Sequence, residues 1–335
     1  MSSKEEPRLL LLFGTPRSGT TWLGKIFDSH PLTLYKHEPD RTLPLPFAPS
    51  VEDFERWRGP VESFIRHLPY QNSPHTSARL PIFPKSYRSS ASHLLHRFSV
   101  FAAGGVFSLG WKCPVLQWAD ISQANIPLVW KSTDSLGRLG VVSRLVSDCR
   151  IVHIVRHPCG YIASVLRGEA QGKFVSSVKT SEDYGIIETL LATPAGRRRQ
   201  LTVGQLRQLH PVERMAWIWV LLNEKAQDDT AHDSRCTRIC YEDVCRDPLR
   251  KTMELFSFCE LPWDRQTEDF IKGSTQASKS SGRYYSIFRD PLQSAEKWKK
   301  EMKPEDIERV YRVVRHSDLI RLYPESEPVL DRSTA

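Results

Sequence analysis

Apolar residues in this chain fall in short blocks, and the length and spacing of those blocks separate strands from helices. The run Arg8–Gly14 is almost wholly apolar and predicts a buried parallel strand, followed by a helix over Thr20–Ser29 with Trp22, Leu23, Ile26 and Phe27 on one face. His30-Pro31 stops that helix, and Thr33–Lys36 reads as a short second strand. Residues 41 to about 90 are rich in Pro, Ser and aromatics with little periodicity, which predicts an irregular or partly helical cap. Val106–Trp111, Leu128–Lys131, Arg150–Val155 and Arg238–Tyr241 each read as inner strands. Helices are expected over Pro158–Arg167, Glu213–Gln227 (apolar nearly all round, so buried), Pro248–Cys259 and Pro304–His316. Gly168 to Gly204 and Lys272–Arg289 read as polar loops. The alternation of strand and helix predicts an α/β fold, a single domain with a central parallel sheet flanked by helices, P-loop-like.

The junction between the first strand and the first helix carries the clearest chemistry. Gly14-Thr15-Pro16-Arg17-Ser18-Gly19-Thr20-Thr21 has two glycines five residues apart, the spacing of a phosphate-binding loop. Backbone amides and the helix dipole at such a junction attract an anion. Thr20 stands where a nucleotide triphosphatase has lysine, and the cation lies inside the loop as Arg17. A second strand-to-helix junction places Arg156 at its edge and Ser164 eight residues on. Ligands of parallel sheets bind beyond the carboxyl ends of the strands, so Arg17 and Arg156 are expected to open onto one crevice and grip a nucleotide phosphorylated at two positions.

Composition narrows the partners. The 335 residues are 40% hydrophobic and 26% charged, with a net charge of +8 that suits a polyanionic ligand. No nucleic-acid-binding signature is present, and no apolar run is long enough to cross a bilayer, so a soluble, cytoplasmic protein is expected. The seven cysteines suggest reduced thiols, and the loose group Cys236, Cys240, Cys245 and Cys259 lacks the Cys-x-x-Cys spacing of a zinc site. Arg197-Arg198-Arg199 reads as a solvated face before a specific anion site.

Thr-Pro-Arg-Ser-Gly-Thr-Thr-Trp-Leu (15–23) together with Ile-Val-Arg-His-Pro (154–158) and Ser164 resembles the sulfotransferases that use 3′-phosphoadenosine 5′-phosphosulfate (PAPS). The likeness extends to His30-Pro31, to Tyr241-Glu242-Asp243 and to Gly282–Trp298, and spans roughly residues 8 to 316. It implies a sulfotransferase domain over 8–316, with a substrate-side cap at 41–105, an insert at 168–212, and terminal tails at 1–7 and 317–335. It implies PAPS as co-substrate, with Pro16, Arg17, Ser18, Gly19, Thr20, Thr21 and Trp22 around the 5′-phosphosulfate. Arg156 and Ser164 would hold the 3′-phosphate, Tyr241 would lie near the adenine, and Arg283 or Arg289 would complete the site in place of a missing Arg-Lys-Gly motif.

Sulfuryl transfer needs a cation at the leaving oxygen and a base for the acceptor hydroxyl, and the sulfuryl group's modest charge makes a metal dispensable. Arg17 is the expected cation. Glu38 is the expected base, in the manner of the carbohydrate and bacterial branches, with burial expected to raise its pKa, and His37 is the rival. Lys131 and Lys112 end apolar runs and are as readily exposed as functional. The expected partner is a small-molecule or glycan hydroxyl acceptor, with no nucleic acid or membrane and with a homodimer allowed. The aromatics Phe47, Phe54, Trp57, Tyr70, Phe83 and Tyr87 suggest either a sugar face or a packed cap. A nucleotide-dependent phosphotransferase and a nucleotide-binding regulator without catalysis are the competing readings.

Overall fold

The computed structural model describes residues 8–42, 45–108, 115–116, 126–174, 178–275 and 290–324. Five parallel strands form one sheet: β1 (Leu9–Gly14), β2 (Leu34–His37), β3 (Leu128–Ser132), β4 (Cys149–Val155) and β5 (Cys236–Cys240). Their order is β2-β3-β1-β4-β5, so β1 is central, paired with β3 on one side and β4 on the other. All five strands therefore end on one edge, where a doubly wound sheet gathers its ligand-binding loops.

Alternation along the strands divides the core. Leu9, Leu11 and Phe13 join Trp130 and Ile151 on one face, while Leu10 and Leu12 join Val129, Val152 and Ile154 on the other. Both faces are covered, which is why β1 reads as a continuous apolar run. Helices Thr20–Ser29 and Pro248–Phe258 cover the second face. The long helix Pro211–Asp229 lies against Pro304–Val314 and Pro158–Ala170, with Trp219 fully buried. Its sequence is apolar nearly all round because both of its sides are packed.

The cap is more regular than its sequence suggests. It contains the helices Phe54–His67 and Ser90–Ser108. Val61, Phe64, Ile65 and Leu68 recur at helical spacing and dock on the sheet, with the Phe64 ring 4.8 Å from that of Trp130. Pro60 interrupts this helix without ending it. The expected strand at Val106–Trp111 is not formed: Val106 to Ser108 close the Ser90–Ser108 helix, and residues 109–111 lie outside the described residues. That stretch continues the helix begun at Ser90, and its apolar content serves a helix end as readily as a strand.

Further differences lie in the insert. Gly168 to Gly204 is largely helical, with Tyr184–Leu191, Pro194–Arg199 and Val203–Gln208, each started by a side-chain cap: Asp183, Thr193 and Thr202. Lys272 to Thr275 end the helix Arg265–Thr275 rather than opening a loop, and the rest of that stretch to Arg289 lies outside the described residues. The expected tail also starts too early, because Ser317, Leu319, Ile320 and Tyr323 are buried. Arg197, Arg198 and Arg199 pair with Glu52, Asp228 and Glu224, so the basic run is a set of ion pairs. Among the described residues, no helix is long and apolar enough to cross a membrane.

Phe64→Ala removes the aromatic contact between cap and sheet and should cost about 3–5 kcal/mol. Urea unfolding with an unchanged m-value checks this, and a loss under about 1 kcal/mol would mean that the cap is not part of the cooperative core.

Candidate functional site

The loop after β1 is held in an unusual backbone conformation. Arg17 has φ of 70° and Gly19 has φ of 84°, and Ser18 Oγ donates to the carbonyl of Thr15 at 2.6 Å. Glycine is required at 19 on two counts: the left-handed φ, and the Tyr241 ring, which a Cβ would approach to 2.2 Å. Gly19 caps the helix Thr20–Ser29 without a side chain, and that helix has no acidic residue in its first turn. The first-turn amides thus present a positive end to the strand edge. Pro16 is exposed on the loop, Thr20 is buried and Thr21 partly so. Trp22 belongs to the core beneath, its indole N–H donating to Ser274 Oγ at 3.1 Å.

The two junctions meet as the sequence led one to expect. Arg17 Nε donates to Ser164 Oγ at 3.0 Å across 147 residues of chain. Arg156 donates from one terminal nitrogen to the Arg17 carbonyl and from the other to the Ser294 carbonyl, both at 2.8 Å. Its guanidinium lies 5.1 Å from the centre of the Tyr241 ring. Tyr241 starts the helix Tyr241–Arg246 rather than ending a strand, and β5 closes at Cys240. Arg156 Nε is buried against Gly160 without a hydrogen-bond partner, and the buried Glu242 carboxylate lies near enough to feel the guanidinium charge. A phosphorylated nucleotide fits that donor set, formed by Arg17, Arg156, Ser164 and the helix amides. Arg283 and Arg289 lie outside the described residues.

The neighbouring strand ends hold the second group. Glu38 follows β2 with φ of 44°, and its amide donates to the Lys131 carbonyl at 2.8 Å. Its Oε1 contacts Lys131 Nζ, and its Oε2 accepts from Arg41 Nε at 2.9 Å. Non-glycine residues at positive φ cost about 1–3 kcal/mol and persist where their surroundings force them. The other two non-glycine cases, Gln200 and Glu260, close helices; Arg17 and Glu38 instead sit at strand ends beside the crevice.

Asp40 is the anchor of this turn. Its Oδ2 accepts from Ser132 Oγ at 2.5 Å, Ser135 Oγ at 2.6 Å and Arg138 at 3.1 Å, and its Oδ1 from the Trp130 indole at 3.3 Å. Sequence reasoning passed over Asp40, Arg41, Lys131 as a partner, and His75, whose Nε2 lies 3.4 Å from Glu38 Oε2. His75 comes from the Pro-rich cap, where no spacing connects it to Glu38. His37 is buried, with Nδ1 bonded to the Tyr35 hydroxyl at 2.9 Å.

The expectation of a raised Glu38 pKa is overturned. Burial does push it up, but the Lys131 ammonium, then His75, His37 and Arg41, pull it down, and the net position is well below the ordinary carboxylate range. Burial, then the Lys131 charge, holds His37 well below the usual imidazole value, which keeps it neutral. Glu38 is therefore an ionised, strongly paired carboxylate. A cavity opens beside β2, with Lys36, Arg79, Arg88, Tyr87 and Phe83 in its wall. Of the cap aromatics, Phe47, Phe54, Trp57 and Tyr87 pack on the core below one sheet face and Phe83 on the core below the other, while Tyr70 is exposed. Most of that aromatic content is cap packing.

A family model described as "Sulfotransferase family" matches residues 10–265. This chain belongs to the sulfotransferase family. Carbohydrate sulfotransferase 1 of Danio rerio is 30% identical over 344 aligned positions, covering 92% of this chain and 76% of that protein. Carbohydrate sulfotransferase 3 of Mus musculus is 42% identical over 157 residues, 45% of this chain and 29% of the relative, so the match spans under a third of that protein. Among solved structures, the sulfotransferase domain from the curacin biosynthetic pathway aligns over 93% of this chain at 16% identity and a TM-score of 0.45. This sulfotransferase-family chain carries the parallel sheet that its sequence predicted.

A carboxyl group with a depressed pKa contributes stability above its unfolded pKa and loses it as pH falls towards the folded value. Glu38→Gln should therefore be less stable than the parent at neutral pH, and the gap should narrow as pH drops below about 4.5. Urea unfolding across that range reads the gap, and a constant difference would show that the Glu38 pairs contribute nothing electrostatic.

Proposed function

We propose that this protein transfers the sulfuryl group of PAPS to a glycan hydroxyl by in-line displacement, with Arg17 at the leaving oxygen and Glu38 taking the acceptor proton. The observation that carries this reading is that two residues at positive φ, Arg17 after β1 and Glu38 after β2, stand on the same edge of the sheet with only β3 between their strands. PAPS supplies an activated sulfur–oxygen bond; the chain supplies charge, alignment and a proton acceptor. The glycan acceptor is supported by the two carbohydrate sulfotransferases above.

The residue roles follow from the contacts. Arg17, held by Ser164, and the amides of the helix Thr20–Ser29 face the charge that develops as the sulfur–oxygen bond of the nucleotide breaks. Arg156, hydrogen-bonded to the backbone of the Arg17 loop, supplies the 3′-phosphate contact. Glu38 Oε2 accepts the proton as the acceptor oxygen bonds to sulfur, while Arg41, an exposed side chain, gives up that oxygen. A low-pKa carboxylate suffices, because an oxygen bonded to both sulfur and hydrogen is far more acidic than an alcohol. Lys131 stays on Oε1 and keeps the carboxylate aimed.

Transfer of labelled sulfur from PAPS to a panel of sulfate-free glycans is the test. Glu38→Gln should retain nucleotide affinity and lose about 100-fold or more in kcat, the range for a general base. Arg156→Ala should raise the KM for PAPS while leaving ADP affinity unchanged. Full turnover in Glu38→Gln would move the base elsewhere, and no transfer from PAPS to any glycan would remove the reading.

A further inference from the structure

Beside Glu38 stand two histidines, His37 and His75, that have no part in the proposed sulfuryl transfer. One ring nitrogen each from His37 and His75 and a Glu38 oxygen all lie within 4.8 Å of one another. Glu38 Oε2 is 3.8 Å from His37 Nε2 and 3.4 Å from His75 Nε2. Donors about 2.0–2.1 Å from a tetrahedral zinc ion lie about 3.3 Å apart, so the three atoms need to close by about 0.1 to 1.5 Å. We propose that His37, Glu38 and His75 bind a transition-metal dication of the zinc class, and that its occupancy blocks transfer by engaging the acceptor-side carboxylate.

Three features support the set. Two imidazoles and one carboxylate match the ligand preference of zinc and disfavour magnesium or calcium, which take oxygen. The Tyr35 hydroxyl bonded to His37 Nδ1 at 2.9 Å fixes that ring and leaves Nε2 facing Glu38, the outer contact that orients a ligating histidine. His75 Nε2 is itself buried at 3.4 Å from Glu38 Oε2 while the rest of its ring is partly exposed, so in the tautomer protonated on Nδ1 it can turn a lone pair to an ion that enters from solvent. The rings of His37 and His75 stand 5.4 Å apart at 60°.

Charge has to be accommodated too. Lys131 occupies Glu38 Oε1 and can stay there. Arg41 occupies Oε2, but its side chain is 45% exposed and lies 3.6 Å from Asp134, which offers it a second partner. The ion would thus replace one cation by another at Oε2. Cysteine is no part of the set, and among the described residues these three side chains form the one cluster with metal-binding spacing. The blocking effect rests on Glu38 as the proton acceptor; the binding itself does not.

The experiment uses the full chain stripped with a chelator. Zn2+ is titrated by calorimetry, Co2+ is followed by visible absorption, and turnover is measured with and without Zn2+. One ion should bind, Co2+ should show ligand-field bands without a thiolate charge-transfer band, and Zn2+ should suppress turnover. His75→Ala, a partly exposed position, should weaken Zn2+ at least tenfold and reduce the suppression in step. Unchanged affinity in His75→Ala, or a thiolate band, would overturn the site. Binding that depends on His75 but leaves turnover untouched would overturn the blocking role, and with it Glu38 as proton acceptor, while the metal site stood.

Discussion

Lys131 and Glu38 are buried at the ends of adjacent strands, and neither charge is tolerable there without the other. An unpaired ammonium in that position would lose its proton, and an unpaired carboxylate would gain one. Together they bind the end of β2 to the end of β3, which itself pairs with β1 beside the phosphate loop. Asp40 and Arg138 make a second buried pair one turn away and hold the chain after Glu38 against β3. The sheet edge is thus assembled by charge as much as by packing. Replacing such pairs with apolar side chains often costs a fold little, so stability alone does not account for them. A carboxylate kept ionised and aimed at a crevice does.

The opposite side of β1 is built differently. There the cation is Arg156, spread over two backbone carbonyls and the Tyr241 ring, and its Nε is left over. Arg17 bridges the two junctions through Ser164. A nucleotide charged at both ends would meet Arg17 beyond β1 and Arg156 beyond β4, with the helix amides beside them. The central position of β1 makes this geometry possible, because both of its neighbours deliver loops to the same edge.

Much of this was legible from residue order. The apolar block of β1, the glycine spacing and the Arg156–Ser164 interval gave the sheet, the loop and the meeting of the two junctions. Those signals are local, and local periodicity survives in a single sequence. The Glu38 environment was not legible, because its pKa depends on Lys131, His75 and Arg41, which come from a distant strand, the cap and the following turn. Burial was foreseen, but the cations that overrule it were not. The insert helices were missed for a different reason. They are short and are set by Asp183, Thr193 and Thr202 caps, which propensity and period register weakly.

The central claim is that the crevice around β1 recognises a nucleotide phosphorylated at two separate positions. Calorimetric titration of the full chain with adenosine 3′,5′-bisphosphate, set against ADP, tests it most directly. Affinity for the bisphosphate at least 100-fold above that for ADP, insensitive to magnesium, is the predicted result. Equal or tighter binding of ADP, strengthened by magnesium, would contradict the account and return the site to phosphoryl transfer.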